Sequence, residues 1–154
     1  MKREEARPFS LPYPLKGKRI NLKMSNAALK DSGKKRVMAV DDDLGILEVI
    51  KIILEDKGYD VLAVADGRVV KKRVKDFLPE VILIDLWMSG MDGHEVTREL
   101  KKDSSTQHIP VVAISALSHG EKIAKEAGAD DFLAKPFNID DLIALVEKYL
   151  LKKQ

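Results

Sequence analysis

Five side chains of this chain stand directly after short apolar runs, and their types suit the chemistry of a phosphoryl group. Val37, Met38, Ala39 and Val40 run into Asp41 and Asp42, and residues 81–84 run into Asp85. Residues 111–114 run into Ser115, and Asp131–Ala134 runs into Lys135. Three carboxylates held close together repel one another and favour protonation unless a cation joins them. A small hard dication that takes oxygen ligands and keeps several waters suits such a cluster, which points to Mg²⁺. An aspartate is a known type of nucleophile toward phosphorus. An ammonium and a hydroxyl can hold the equatorial oxygens while the group is transferred. Each residue alone also has an ordinary role: Asp41, Asp42 and Asp43 as a helix cap cluster, Asp85 or Ser115 in a turn, Lys135 as a solvated charge. Their occurrence after successive apolar runs selects the chemical reading.

The elements that position them follow from the hydrophobic pattern. The apolar runs before Asp41, Asp85 and Ser115 are short and uninterrupted, the mark of strands buried on both faces. After the first, Leu47, Ile50 and Leu54 recur at helical spacing with Ile46, Val49 and Ile53 beside them. Asp43 is the expected N-cap and Gly58 the stop. Residues 59–65 form a second strand. Gly67 opens a helix to about Phe77 with Val70, Val74 and Phe77 on one face and Arg68, Lys71, Lys72, Arg73 and Lys75 on the other. Pro79 restarts the chain into the third strand, Gly93 leads a helix to about Lys102, and Pro110 introduces the fourth strand. A helix of about two turns runs from Gly120 to Gly128, and a short fifth strand follows. Asn138 caps a last helix, with Asp141 three residues on and a stripe of Leu142, Leu145, Val146, Tyr149 and Leu150. Five strands alternating with five helices predict an α/β doubly wound parallel sheet covered on both faces. All five candidate residues then share its carboxyl edge, where open α/β sheets bind ligands.

Composition narrows the classes further. Hydrophobic residues make up 45% and charged residues 34%, as in an ordinary globular domain. Cysteine is absent, which excludes disulfides, thiolate metal sites and thiol nucleophiles. No apolar run approaches the roughly 18 residues of a membrane span, and the charged N-terminus lacks a signal-peptide core. A cytoplasmic protein is expected. Charge divides the chain in two. Residues 1–36 carry eleven Lys/Arg against three Asp/Glu, whereas residues 37–154 carry sixteen against twenty-two. The division predicts a flexible, basic, Pro-containing extension over residues 1–35 and an acidic domain over 36–154.

The segments VMAVDDD, VILIDLWMSGMDG, IPVVAISA and DDFLAKPF resemble, in order and spacing, the motifs of the receiver domain of two-component response regulators. The resemblance implies a flavodoxin-like sheet of strand order 2-1-3-4-5. It implies that Asp85 is phosphorylated by a sensor histidine kinase or a histidine phosphotransfer protein. Asp42, Asp85 and the backbone carbonyl of Trp87 would ligate Mg²⁺, with Asp41 acting through water. Lys135 would bind the phosphoryl group, ahead of a Pro136 whose bond is often cis in the family. Ser115 and Phe132 match the switch positions. Signalling would run through the face of the fourth helix, fifth strand and fifth helix to a downstream protein. The fifth-helix face also commonly serves for dimerisation on phosphorylation.

Several positions depart from the family pattern. Ser115 replaces the more frequent Thr, and Phe132 lacks the phenol of some members. Ser89 stands where Pro is usual, which predicts a less rigid loop. Residues 116–128 are about two short. Trp87 and Leu117 flank the phosphoryl site and are both large and apolar, so they are expected to shield the acyl phosphate and slow its hydrolysis. Nothing follows the last helix but Lys152, Lys153 and Gln154, which suggests a stand-alone receiver, active through protein contacts and in its own phosphorylation but no separate enzyme. Two rivals are the receiver part of a DNA-binding regulator and an Asp-based phosphotransferase. The first lacks a recognition helix in the basic extension, so nucleic acid is not the expected partner. The second lacks the acid/base carboxylate two residues past the nucleophile, where Trp87 stands.

Overall fold

The computed structural model describes residues 32–151; the expected basic extension lies, up to residue 31, outside the described residues. Five parallel strands form one sheet: β1 (Arg36–Val40), β2 (Asp60–Val64), β3 (Val81–Asp85), β4 (Val111–Ser115) and β5 (Asp131–Ala134), in the order β2-β1-β3-β4-β5. The connecting helices are α1 (Leu44–Asp56), α2 (Val70–Phe77), α3 (Gly93–Lys102), α4 (Gly120–Ala127) and α5 (Ile139–Leu150). The sheet order and the doubly wound class are those expected from the sequence.

Alternation along each strand divides the core. Val37, Ala39, Val81, Leu83, Val112 and Ile114 pack with Leu47, Ile50 and Leu54 of α1 and Leu142, Val146 and Leu150 of α5. Their neighbours Met38, Val40, Ile82, Ile84 and Val111 pack on the opposite face with Val70 and Val74 of α2 and Val96 and Leu100 of α3. On that same face α4 contributes Ala124 against Leu86 and Ala113. Both faces of β3 and β4 are therefore buried, which is why their sequences read as continuous apolar runs.

Register carries this pattern to the functional edge. Val40 pairs with Ile84, Asp85 with Ile114, and Ser115 with Ala134. Asp41, Asp85, Ser115 and Lys135 thus leave the sheet side by side. Turn chemistry agrees: the Asp43 carboxylate accepts from the Gly45 and Ile46 amides at 2.9 and 3.1 Å, and Asn138 caps α5 through the Asp141 amide at 2.8 Å.

Local differences from the sequence reading have physical causes. Val49, expected beside the buried stripe of α1, is 52% exposed, because the helix packs on one sheet face that covers only a narrow stripe of it. The element opened by Gly67 begins as a single 3₁₀ turn over Gly67–Val69 and becomes α-helical only from Val70. Asp66 caps that turn through the Arg68 amide and folds the Arg68 guanidinium back onto itself. Helix α2 ends on Leu78 in the left-handed conformation (φ 54°), a position without the usual glycine, just ahead of Pro79.

Candidate functional site

Asp85, the last residue of β3, is fixed from both sides of its carboxylate. The Trp87 amide donates to Oδ1 at 2.9 Å, and Lys135 Nζ donates to Oδ2 at 2.8 Å. The same ammonium reaches Asp41 Oδ2 at 2.7 Å, and the Asp43 amide donates to Asp41 Oδ1 at 2.9 Å. Lys135 so bridges the exits of β1 and β3 from its own place at the exit of β5, ahead of a cis Lys135–Pro136 bond. Asp41 and Asp85 are buried, while Asp42 points to solvent. The Ser89 amide and hydroxyl both donate to Asp42 Oδ2, each at 3.0 Å.

Glycines let the edge close. A Cβ on Gly93 would stand 1.8 Å from the Asp85 carbonyl oxygen, so only glycine allows α3 to begin this close to the end of β3. A Cβ on Gly120 would meet Ser115 Oγ at 2.9 Å and the Phe132 ring at 3.2 Å, which places both expected switch residues against the first turn of α4. Ser115 is buried, its hydroxyl oxygen accepts from the Leu117 amide at 3.1 Å, and its carbonyl accepts from the Lys135 amide at 2.9 Å. Phe132 is half-buried, packed on the cluster of Leu86, Ala113 and Ala124. The Trp87 side chain is 65% exposed. It borders a recess of about 220 Å³ together with Leu117, Ile123 and His94, so the two expected shielding residues line one hollow.

The electrostatics are those of a site short of positive charge. Burial pushes the Asp41 carboxyl above the usual carboxylate range, and the neighbouring Asp85 charge adds to this, against the opposing pull of Lys135 and the Asp43 amide. Burial alone would lower the Lys135 ammonium, but its hydrogen bonds to Asp41 and Asp85 outweigh it and raise the group. The Ser89 amide and hydroxyl hold Asp42 below the usual carboxylate value. One oxygen from each of Asp41, Asp42 and Asp85 lies within 4.8 Å of the others. Three carboxylates against one ammonium at that spacing match a hard divalent cation with oxygen ligands, so the donor set fits Mg²⁺.

A twisted parallel sheet in this order, with an acidic cluster and a bridging lysine at its carboxyl edge, defines the class of phosphoryl-receiving signalling domains. A family model described as the response regulator receiver domain matches residues 37–147, and the chain belongs to that family. It is 34% identical over 122 residues to the DNA-binding response regulator MtrA of Mycobacterium tuberculosis, covering 78% of this chain and 52% of that protein. Over 110 residues it is 42% identical to the response regulator PleD of Caulobacter vibrioides, covering 70% of this chain and 24% of the relative. The chain therefore spans about half the length, or less, of the curated relatives it matches. A solved structure of a putative response regulator from Chloroflexus aurantiacus superposes with a TM-score of 0.73 at 28% identity, covering 77% of this chain and 98% of that one. Receiver domains are in general signalling domains without enzymatic activity of their own, and in general use Mg²⁺. Among the described residues, no helix is long and apolar enough to cross a membrane.

Asp41, Asp42, Asp85, Ser115 and Lys135 were all legible as chemistry-bearing residues. Ser89 was visible only as a departure from the family pattern. Its partner Asp42 lies 47 residues away, and no local signal joins them. Gly93 and Gly120 read as helix starts, whereas their close approaches depend on the tertiary fold.

Proposed function

We propose that Asp85 accepts a phosphoryl group from a histidine kinase or a histidine phosphotransfer protein. The bond from phosphorus to the donor imidazole breaks as the bond to an Asp85 oxygen forms, and the imidazole keeps the electron pair and takes up a proton. Asp42, Asp85 and the Trp87 carbonyl would hold Mg²⁺, with Asp41 acting through water. When bound, the ion offsets the negative charge gathered on the transferring oxygens. The observation that carries this reading is the Lys135 ammonium bridging Asp41 and Asp85.

The protein's own residues do the rest. Lys135 exchanges a carboxylate contact for a phosphoryl oxygen. The Ser115 hydroxyl, whose oxygen accepts from Leu117, keeps its own proton for donation to the phosphoryl group. Drawing Ser115 inward carries the start of the β4–α4 loop with it, and Phe132 follows into the vacated space. Phosphorylation thus biases an equilibrium between two packings rather than creating a new state. Trp87 and Leu117 flank the site in sequence, two residues past Asp85 and Ser115, and hinder an attacking water. In this reading the acidic unit over 36–154 meets its donor in the cytoplasm and passes the signal to a downstream protein, and residues 1–35 are its basic extension.

The test is transfer from acetyl phosphate in Mg²⁺, read by intact mass, for wild type and Asp85→Ala. One added phosphoryl group in the wild type alone is expected. No adduct in wild type, or an equal adduct in Asp85→Ala, contradicts the assignment. A second reading, as the receiver part of a longer DNA-binding regulator, is favoured by the description of MtrA as DNA-binding. Salt-sensitive DNA binding by this protein supports it.

A further inference from the structure

Of the three carboxylates, Asp42 is the exposed one, and its restraint is unlike that of the others. Asp41 and Asp85 are held by burial, by main-chain amides and by Lys135. Asp42 is held by a loop residue from the other strand exit: the amide and the hydroxyl of Ser89 converge on the single oxygen Oδ2. A carboxylate oxygen presents two lone pairs, so two donors saturate Oδ2 and leave Oδ1 for another ligand.

We infer that Ser89 is a positioning residue for the divalent cation, fixing the Asp42 carboxylate and tying it to the loop that carries the Trp87 carbonyl. The inference rests on the reading that Asp42 and the Trp87 carbonyl hold that ion. The loop is already pinned at its base by Trp87 on Asp85 Oδ1 and by the Gly93 amide on the Leu86 carbonyl at 3.1 Å, and Met88 is buried in the core. Ser89 supplies the hydrogen bonds that tie the loop to the exit of β1. An unrestrained, solvent-exposed aspartate loses rotamer freedom when it ligates, whereas a clamped one has lost it already. Proline has neither an N–H nor a hydroxyl, so a proline at this position could not make the clamp.

Outer partners of metal ligands typically contribute ten- to a hundredfold in metal affinity. The exposure of this clamp, and the amide that survives substitution, place the hydroxyl's share at about fivefold. The experiment measures the Mg²⁺ dissociation constant from the emission of Trp87, the single tryptophan, and independently from free Mn²⁺ in a competition titration. Ser89→Ala is expected to bind about fivefold more weakly and Ser89→Thr within twofold of wild type. The thermal midpoints of both in EDTA should match wild type, which separates positioning from folding. Ser89→Ala within twofold of wild type overturns the inference. Asp42→Ala, measured alongside, distinguishes the two claims. If it binds as wild type does, the ligand assignment itself is wrong; if it loses binding while Ser89→Ala does not, only the clamp is wrong.

Discussion

Replacing Lys135 by Met tests the electrostatics of the site most severely. The ammonium sits 2.7 Å from Asp41 and 2.8 Å from Asp85, with side-chain exposures of 16%, 4% and 10% for Lys135, Asp41 and Asp85. At an effective dielectric constant of about 20, each contact corresponds to roughly 6 kcal/mol of Coulomb attraction, most of it offset by desolvation. Removing one partner of such a group leaves buried charge uncompensated, at a cost of about 3–5 kcal/mol. The lower end of that range corresponds to about 3 kcal/mol at pH 8 in EDTA. For a domain of this size that lowers the melting midpoint by about 10 °C. The deficit should shrink as pH falls through the raised Asp41 value, where a proton offsets part of the lost ammonium, and shrink again in saturating Mg²⁺. The assay is urea unfolding of both proteins at pH 5 and 8, with EDTA or with Mg²⁺. A deficit below about 1 kcal/mol at pH 8, or one indifferent to both pH and Mg²⁺, refutes the reasoning.

Wild-type stability should itself vary with pH in a defined sense. The raised Asp41 value makes its charged form a cost, fully present above that value and relieved as pH falls through it, so EDTA-treated protein should gain from mild acidification at this group. The raised Lys135 value has the opposite consequence: its contribution is complete below the ordinary lysine value and is lost as pH rises through the raised one, a step that Lys135→Met should lack in urea titrations. Gly93→Ala forces a methyl into the Asp85 carbonyl and should cost about 3 kcal/mol in urea unfolding while slowing phosphorylation; an unchanged midpoint contradicts the close approach. Trp87→Asn should shorten the lifetime of the phosphorylated protein severalfold, measured by loss of the adduct in intact mass, and an unaltered lifetime removes the shielding role.

The parts of this structure that were legible in the sequence are those decided by local pattern. The runs at 37–40, 81–84 and 111–114 read as buried strands because both of their faces are covered, and Asp43 and Asn138 cap helices as their types suggest. The convergence of Asp41, Asp85, Ser115 and Lys135 was legible because a parallel sheet brings every strand exit to one edge. What escaped depends on contacts between distant segments. The clamp from Ser89 to Asp42 crosses two strand exits. Exposure of Leu44, Val49 and Ile52 on α1 reflects how little of the helix the sheet covers, and their hydrophobicity gave no warning of it. The left-handed Leu78 bears no glycine to announce it.

The most direct test of the central claim is to locate the phosphoryl group chemically. Protein treated with acetyl phosphate and Mg²⁺ is reduced with borohydride, which converts an acyl phosphate to homoserine, then digested and sequenced by mass spectrometry. The account expects homoserine at position 85 alone, in amounts that follow the intact-mass adduct. Homoserine at Asp41 or Asp42, or an adduct that leaves Asp85 unmodified, contradicts it.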